Sequence, residues 1–178
     1  MNLTQIKIGG FGGQGVIMTG IILGKAASIY DKMNATMTRS YGPEARGGAC
    51  SAQVVLDTEP IAYPYVVKPD ILIVMSQEAC DRYSKDLPDG AVLLYESDLV
   101  KPKTNGKSFQ LYGIPTTRIA EDLGNRVVQN IVMLGYLAKI SQAISKKAIE
   151  EAIKNSVPKK TIELNVNAFE EGFNYEVK

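Results

Sequence analysis

Two short stretches of this chain carry residues whose types and spacing suit chemistry. In "GGFGGQG", Gly10, Gly12 and Gly15 stand in the order G-x-G-x-x-G. Such a turn between a strand and a helix lets a phosphate approach the backbone and meet a helix N-terminus. Gly13 and Gln14 complete that turn. In "SYGPEARGGACSAQVVL", Tyr41, Glu44 and Arg46 sit beside Gly47 and Gly48. A guanidinium with glycine on its flank has backbone room for a bidentate grip on a carboxylate or phosphate. Glu44 and Arg46 are open to three readings: ligand contacts, active-site groups, or a local ion pair. An exposed pair contributes only ~0–1 kcal/mol, so stability alone is a poor reason for it.

What the chain lacks narrows its chemistry. It has no histidine, which removes His-based triads, His metal sites and the commonest general base. Two cysteines, Cys50 and Cys80, cannot by themselves hold a zinc or an iron–sulfur cluster, so no metal site is expected. They read as core or interface thiols of a reducing compartment. Any chemistry must therefore use carboxylates, Lys, Tyr or Cys, or belong to a cofactor or a partner chain.

The 178 residues are 45% hydrophobic and 22% charged with net charge +1, the composition of an ordinary globular protein. Balanced charge predicts no nucleic-acid partner. No apolar run approaches the ~18 residues of a membrane helix, and no membrane association is expected. The opening "MNLTQIKIGG" has no basic region followed by a long apolar run, so a cytoplasmic location is expected.

The elements that position the two stretches follow from periodicity. Gln5–Ile8 alternates as a strand, the glycines turn the chain, and Val16–Tyr30 has helical spacing. A second strand is predicted at Ala35–Thr38, with the Tyr41 to Gly48 stretch as the loop after it and "ACSAQVVLD" as a third strand. "DILIVM" reads as a strand buried on both faces, "AVLLYE" and "SFQLYGI" as further strands, with helices at "QEACDRYSKDL" and "TTRIAEDLG". Helices over Val127–Ile140, over "KKAIEEAIKNSV" and from Pro158 onward finish the chain. The fold class is α/β: one Rossmann-like domain with a mainly parallel sheet, residues 1–125 forming the sheet core and 126–178 a cover of C-terminal helices.

A dinucleotide fold places an acidic residue at the end of its second strand to bind ribose hydroxyls. Here "TMTRS" puts Arg39 there, which disfavours NAD and leaves room for a ligand with an extra phosphate. The other reading of the glycines is close packing of helix on sheet, or of a partner chain.

Five segments occur in order: "GGFGGQGVIMTGIILGKAA", "YGPEARGGACSAQVVL", "PDILIVMSQEACDRY", "IPTTRIAEDLGN" and "QNIVMLGYLAKI". Together, over about Ile6 to Asn155, they closely resemble the gamma subunit of 2-oxoacid:ferredoxin (acceptor) oxidoreductases. "YGPEARGG" looks most like the 2-oxoglutarate members. The resemblance implies a non-autonomous subunit of a complex that converts a 2-oxoacid and coenzyme A (CoA) into an acyl-CoA and carbon dioxide. For 2-oxoglutarate the product is succinyl-CoA. Thiamine diphosphate and iron–sulfur clusters are implied on the partner alpha, beta and ferredoxin-like delta subunits, with no cofactor bound tightly by this chain alone.

Carried onto this chain, the resemblance makes Gly10, Gly12, Gly13, Gln14, Gly15 and Gly47 candidates near the phosphates of CoA. Tyr41, Glu44 and Arg46 would line the seam with the catalytic subunits, and Arg39 or Arg46 would meet a CoA phosphate. Two alternatives stay open: a free-standing NADP- or nucleotide-binding oxidoreductase domain, and a purely structural assembly subunit. In the latter, Tyr136, Phe169, Phe173 and Tyr175 would mark partner surfaces, although their spacing also suits a core. A homodimer is open to the isolated chain, because apolar surface meant for a partner permits one.

Overall fold

The computed structural model describes residues 3–43, 47–103 and 106–176. Strand β1 (Thr4–Phe11) leads through the glycine turn into helix α1 (Val16–Lys25), which widens into a π-turn at Ala26–Tyr30. Strands β2 (Asn34–Tyr41) and β3 (Ala49–Asp57) follow, then β4 (Ile71–Val74), α2 (Gln77–Tyr83), β5 (Val92–Glu96) and β6 (Gln110–Ile114). Helices α3 (Thr116–Asp122), α4 (Gln129–Ile140), α5 (Lys146–Lys154) and α6 (Ile162–Asn174) complete the chain.

The six strands form one sheet in the order β2-β3-β1-β4-β5-β6. β1, β4, β5 and β6 are parallel neighbours, whereas β3 runs antiparallel to both β1 and β2. The sheet is therefore mixed, with its parallel pairings in the majority. β4, "ILIV", is buried along its whole length, as its unbroken apolar run predicts.

Alternation along β1 decides which helix covers which face. Ile6, Ile8 and Gly10 face the larger core, which α1, α4, α5 and α6 close with Ile22, Leu23, Val132, Ile149 and Phe169. A Cβ on Gly9 would instead lie 2.6 Å from the ring of Tyr83, so the opposite face belongs to α2. There Leu72, Val74, Cys80, Leu93 and Phe109 make a smaller core.

The C-terminal helices join the large core backbone to backbone. A Cβ on Gly135 of α4 would run into the Phe169 carbonyl of α6, and a Cβ on Gly172 into the Val132 carbonyl of α4. Tyr136 and Phe169 are fully buried, which places both in the core. Among the described residues no helix is long and apolar enough to cross a membrane.

Candidate functional site

Helix α1 begins without a cap. Helices α2 and α5 each start at a serine whose hydroxyl accepts a backbone N–H, Ser76 from Ala79 and Ser145 from Ala148. At α1 the capping position is Gly15, in left-handed conformation (φ 74°), with no side-chain cap and no acidic residue in the first turn. The Gly15 carbonyl accepts from the Thr19 amide at 2.9 Å and the Thr19 hydroxyl at 3.0 Å. Among the described residues the N–H groups of Gly13, Gly15, Val16, Ile17 and Met18 meet no acceptor. Five backbone donors at the positive end of a helix dipole form a ready cradle for an anion.

The turn that displays these donors is held by Gln14. Its Oε1 accepts from the Phe11 amide and its Nε2 donates to the Met75 carbonyl, both at 2.7 Å. The second bond crosses from the end of β1 to the end of β4, where the helices after the two strands leave on opposite faces. In open α/β sheets that crevice is where ligands usually lie. Here the Gln14 side chain bridges it, and the open space lies on the flanks of α1.

One flank is closed by the second glycine-rich stretch. Antiparallel pairing sets Phe11 opposite Ala49 and Gly10 opposite Cys50. The Gly12 amide then donates to the Gly48 carbonyl at 2.9 Å. Between them lies a cleft of about 300 Å³ lined by Gly13, Val16, Met18, Tyr41, Gly47 and Cys50. Tyr41 is 62% exposed at its rim, and the Arg39 guanidinium lies 5.8 Å from the Tyr41 ring centroid. Burial pushes the Cys50 thiol above its ordinary range, the opposite of what a nucleophile needs.

The structure brings most of the sequence-predicted residues together and changes several roles. Gly10 serves packing, because a Cβ there would lie 2.9 Å from Val16 Cγ2 and 3.0 Å from Met75 Cβ. Gly12 accommodates the chain's own loop: its Cβ would sit 3.1 Å from the Gly47 nitrogen. Gly13 and Gly47 are left-handed (φ 95° and 71°), with open space where a Cβ would go. Gln14 spends its carboxamide on the turn. Tyr41 ends β2 instead of lying in the loop. Glu44 and Arg46 lie outside the described residues.

Arg39 needs a correction of context. The ribose-binding acid of a dinucleotide fold belongs to a strand beside β1, and here β3 occupies that place with β2 beyond it. The missing acid therefore carries no information about NAD. Arg39 is an exposed cation beside the Tyr41 ring, and it is Tyr41 that lines the cleft.

Two residues escaped the sequence reading. Glu96, fully buried at the end of β5, accepts from the Thr116 hydroxyl, the Thr117 amide (2.8 Å) and the Asp98 amide (3.0 Å), so it ties α3 to the sheet. Asn130, at the start of α4, fills the space a Gly15 Cβ would need, its own Cβ 2.6 Å from that point. Neither is displayed as a general base or a nucleophile. Among the described residues no three of His, Cys, Asp and Glu gather as metal ligands, and the two cysteines are both buried. The side chains present do not fit an iron–sulfur cluster. What the site can do is hold an anion on backbone donors beside an exposed aromatic rim.

Comparison with known proteins gives these features a context. The sequence pattern of the family described as pyruvate ferredoxin/flavodoxin oxidoreductase matches residues 5–175. The 2-oxoglutarate synthase subunit KorC of Methanocaldococcus jannaschii is 49% identical over 171 residues, covering 95% of this chain and 91% of that protein. Among solved structures, the keto/oxoacid ferredoxin oxidoreductase gamma subunit from Geobacter sulfurreducens superposes with a TM-score of 0.87 at 39% identity, over 97% of this chain and 95% of that one. The same fold recurs in the 2-oxoglutarate:ferredoxin oxidoreductase from Magnetococcus marinus, solved with 2-oxoglutarate, coenzyme A and succinyl-CoA bound. There the TM-score is 0.88 at 21% identity, over 97% of this chain and 31% of that one.

Proposed function

The chain belongs to the pyruvate ferredoxin/flavodoxin oxidoreductase family, and we propose that it is the gamma subunit of a cytoplasmic 2-oxoglutarate:acceptor oxidoreductase whose α1 N-terminus holds a phosphate of CoA. The complex oxidises a 2-oxoacid with CoA to an acyl-CoA and carbon dioxide, and its thiamine diphosphate and iron–sulfur clusters reside on partner chains. This chain's share is binding and assembly.

The observation that carries the CoA reading is the cradle at Gly13, Gly15, Val16, Ile17 and Met18, whose N–H groups meet no acceptor among the described residues. An oxyanion seated there gains charge-assisted hydrogen bonds that no described side chain supplies in its place. Arg39, whose guanidinium lies 5.8 Å from the Tyr41 ring centroid, is the cation assigned to a second phosphate. Met18, 40% exposed, and Tyr41 give that rim an apolar and aromatic surface, suited to the seam with a catalytic subunit.

Calorimetric titration of the assembled complex with CoA and with 3′-dephospho-CoA tests this reading. CoA binds more tightly than the dephospho form, and Arg39→Ala removes most of the difference while leaving dephospho-CoA affinity unchanged. Failure of the wild-type complex to bind CoA would refute the reading.

A further inference from the structure

The sheet face that α2 covers carries two cations that the function proposed above does not use. On β1 that face presents Gln5, Lys7 and Gly9, and the ring of Tyr83 packs over Gly9, where there is no side chain to displace it. Lys7 Nζ lies 4.2 Å from the centroid of that ring and the Arg82 guanidinium 5.5 Å from it. Lys7 is half-buried and Arg82 is exposed.

Neither charge is paired. Among the described residues Lys7 Nζ and the Arg82 guanidinium make no hydrogen bond and no ion pair, only their contacts with the ring. The oxygens that could have served Lys7 are turned elsewhere. Gln5 Oε1, two residues back on the same face, accepts from the Val67 amide. Gln53 Oε1, directly opposite on β3, accepts from the Val66 amide at 2.9 Å. Lys146 and Lys154, by contrast, are held by glutamates. Burial lowers the pKa of Lys7 from its ordinary value; Asp86 opposes that shift from a distance, and Arg82 adds to it. A desolvated amine beside another cation is the usual setting of a nucleophilic lysine, because more of it is neutral at neutral pH.

We propose that Lys7 is a modification site, acylated at Nζ by a dicarboxylic acyl-CoA thioester such as succinyl-CoA, with Arg82 gripping the free carboxylate of the acyl group. The inference rests on the 2-oxoglutarate reading above for the source of the thioester, and goes beyond it to a site on the other face of the sheet. In the step itself the neutral amine attacks the thioester carbonyl. A C–N bond forms, the C–S bond breaks, and CoA leaves as a thiolate that takes up the proton the nitrogen sheds. An amide and free CoA result, with nothing oxidised or reduced. The planar fork of Arg82 suits a carboxylate, so the succinyl amide replaces a repulsion between two cations by an ion pair. Position 7 thereby changes from a positive to a negative charge.

The test is peptide mass spectrometry on the protein as isolated from its native host, incubated at neutral pH with added succinyl-CoA or acetyl-CoA. Because the thioester is added, labelling is read whether or not the complex oxidises 2-oxoglutarate, so the two readings fail separately. Lys7 is expected to label roughly tenfold faster than the exposed Lys68 or the ion-paired Lys154. Its preference for succinyl over acetyl transfer exceeds that of Lys154 severalfold, which corrects for the differing reactivity of the two thioesters. In Arg82→Ala the preference at Lys7 falls to that of Lys154, and labelling at Lys68 and Lys154 is unchanged. Labelling of Lys7 no faster than that of Lys68 overturns the proposal. So does a succinyl preference at Lys7 that survives Arg82→Ala.

Discussion

The amide of Gly12 donates a hydrogen bond to the carbonyl of Gly48 at 2.9 Å, joining two glycine-rich segments that are far apart in sequence. The contact is possible because β3 folds back antiparallel on β1, and because neither segment carries a side chain where they touch. A Cβ on Gly12 would lie 3.1 Å from the Gly47 nitrogen and 3.3 Å from its Cα, backbone atoms that cannot rotate away. The motif that sequence patterns associate with a phosphate thus has a double task here: its middle glycine receives a loop, and its later residues display donors.

Replacing Gly12 by valine separates those tasks. The added carbons push the second loop away and open the cleft beside Tyr41, while the donors from Gly13 to Met18 remain. The KM for CoA in the assembled complex rises roughly tenfold, because misplacement of a loop at a binding site is costly even where no direct contact is removed. An unchanged KM with normal assembly argues that the loop contact has no bearing on the coenzyme.

Gln14 is predicted to act on stability first. Alanine there leaves the Phe11 amide and the Met75 carbonyl without the partners they now have at 2.7 Å. The unfolding midpoint in urea falls by the equivalent of about 1–3 kcal/mol. Were the midpoint to stay put, water would be replacing the carboxamide and Gln14 would be free to serve a ligand.

Gly172→Ala probes the union of the C-terminal helices with the sheet. Its Cβ would enter the Val132 carbonyl, and helix backbones cannot yield without moving α4 off the core. A loss of about 3 kcal/mol is expected, the upper range for overpacking. Because the core around Ile6, Val132 and Phe169 is shared by strands and C-terminal helices, we expect the whole chain to melt as one domain, at a lower temperature in the variant. Two separate calorimetric transitions would show that 126–178 is a unit of its own.

Tyr136 supplies a pH signature. Its ring is fully buried, edge-on to Tyr175 at 5.8 Å between centroids, and its hydroxyl has no partner among the described residues. Burial pushes its pKa up to about 12. Since the folded value lies above the ~10 of an unfolded tyrosine, the stability it contributes is present in full below pH ~10 and is lost as pH rises through about 12. Tyr136→Phe is therefore at least as stable at neutral pH and loses less stability between those limits in urea titrations at stepped pH. Parallel losses in the two proteins would mean the phenol titrates as if exposed.

The local elements were legible in the sequence because their physical causes are local. The apolar run of β4 and the alternation of β1 and β3 each follow from which faces are buried. The uncapped start of α1 follows from a glycine where Ser76 and Ser145 serve the other helices. Three things were not legible. The reversal of β3 depends on pairing across the sheet, so the expected ribose position was assigned to Arg39 on a strand that does not touch β1. β2 runs on through Tyr41 because Cys50 of β3 lies opposite to pair with it, where the glycines and proline that follow suggested a loop. Asn130 lies 115 positions from Gly15 and meets it only through the packing of α4 beside α1, so no pattern in its own neighbourhood reveals the contact.

The most direct test of the central claim is anaerobic purification of the tagged chain from its native host, followed by assay of the eluate for CoA-dependent reduction of a viologen dye by a panel of 2-oxoacids. The account predicts co-purification of larger chains carrying thiamine diphosphate and iron–sulfur clusters, with 2-oxoglutarate the best substrate and no dye reduction without CoA. A chain recovered alone, or a complex whose activity ignores CoA, would contradict it.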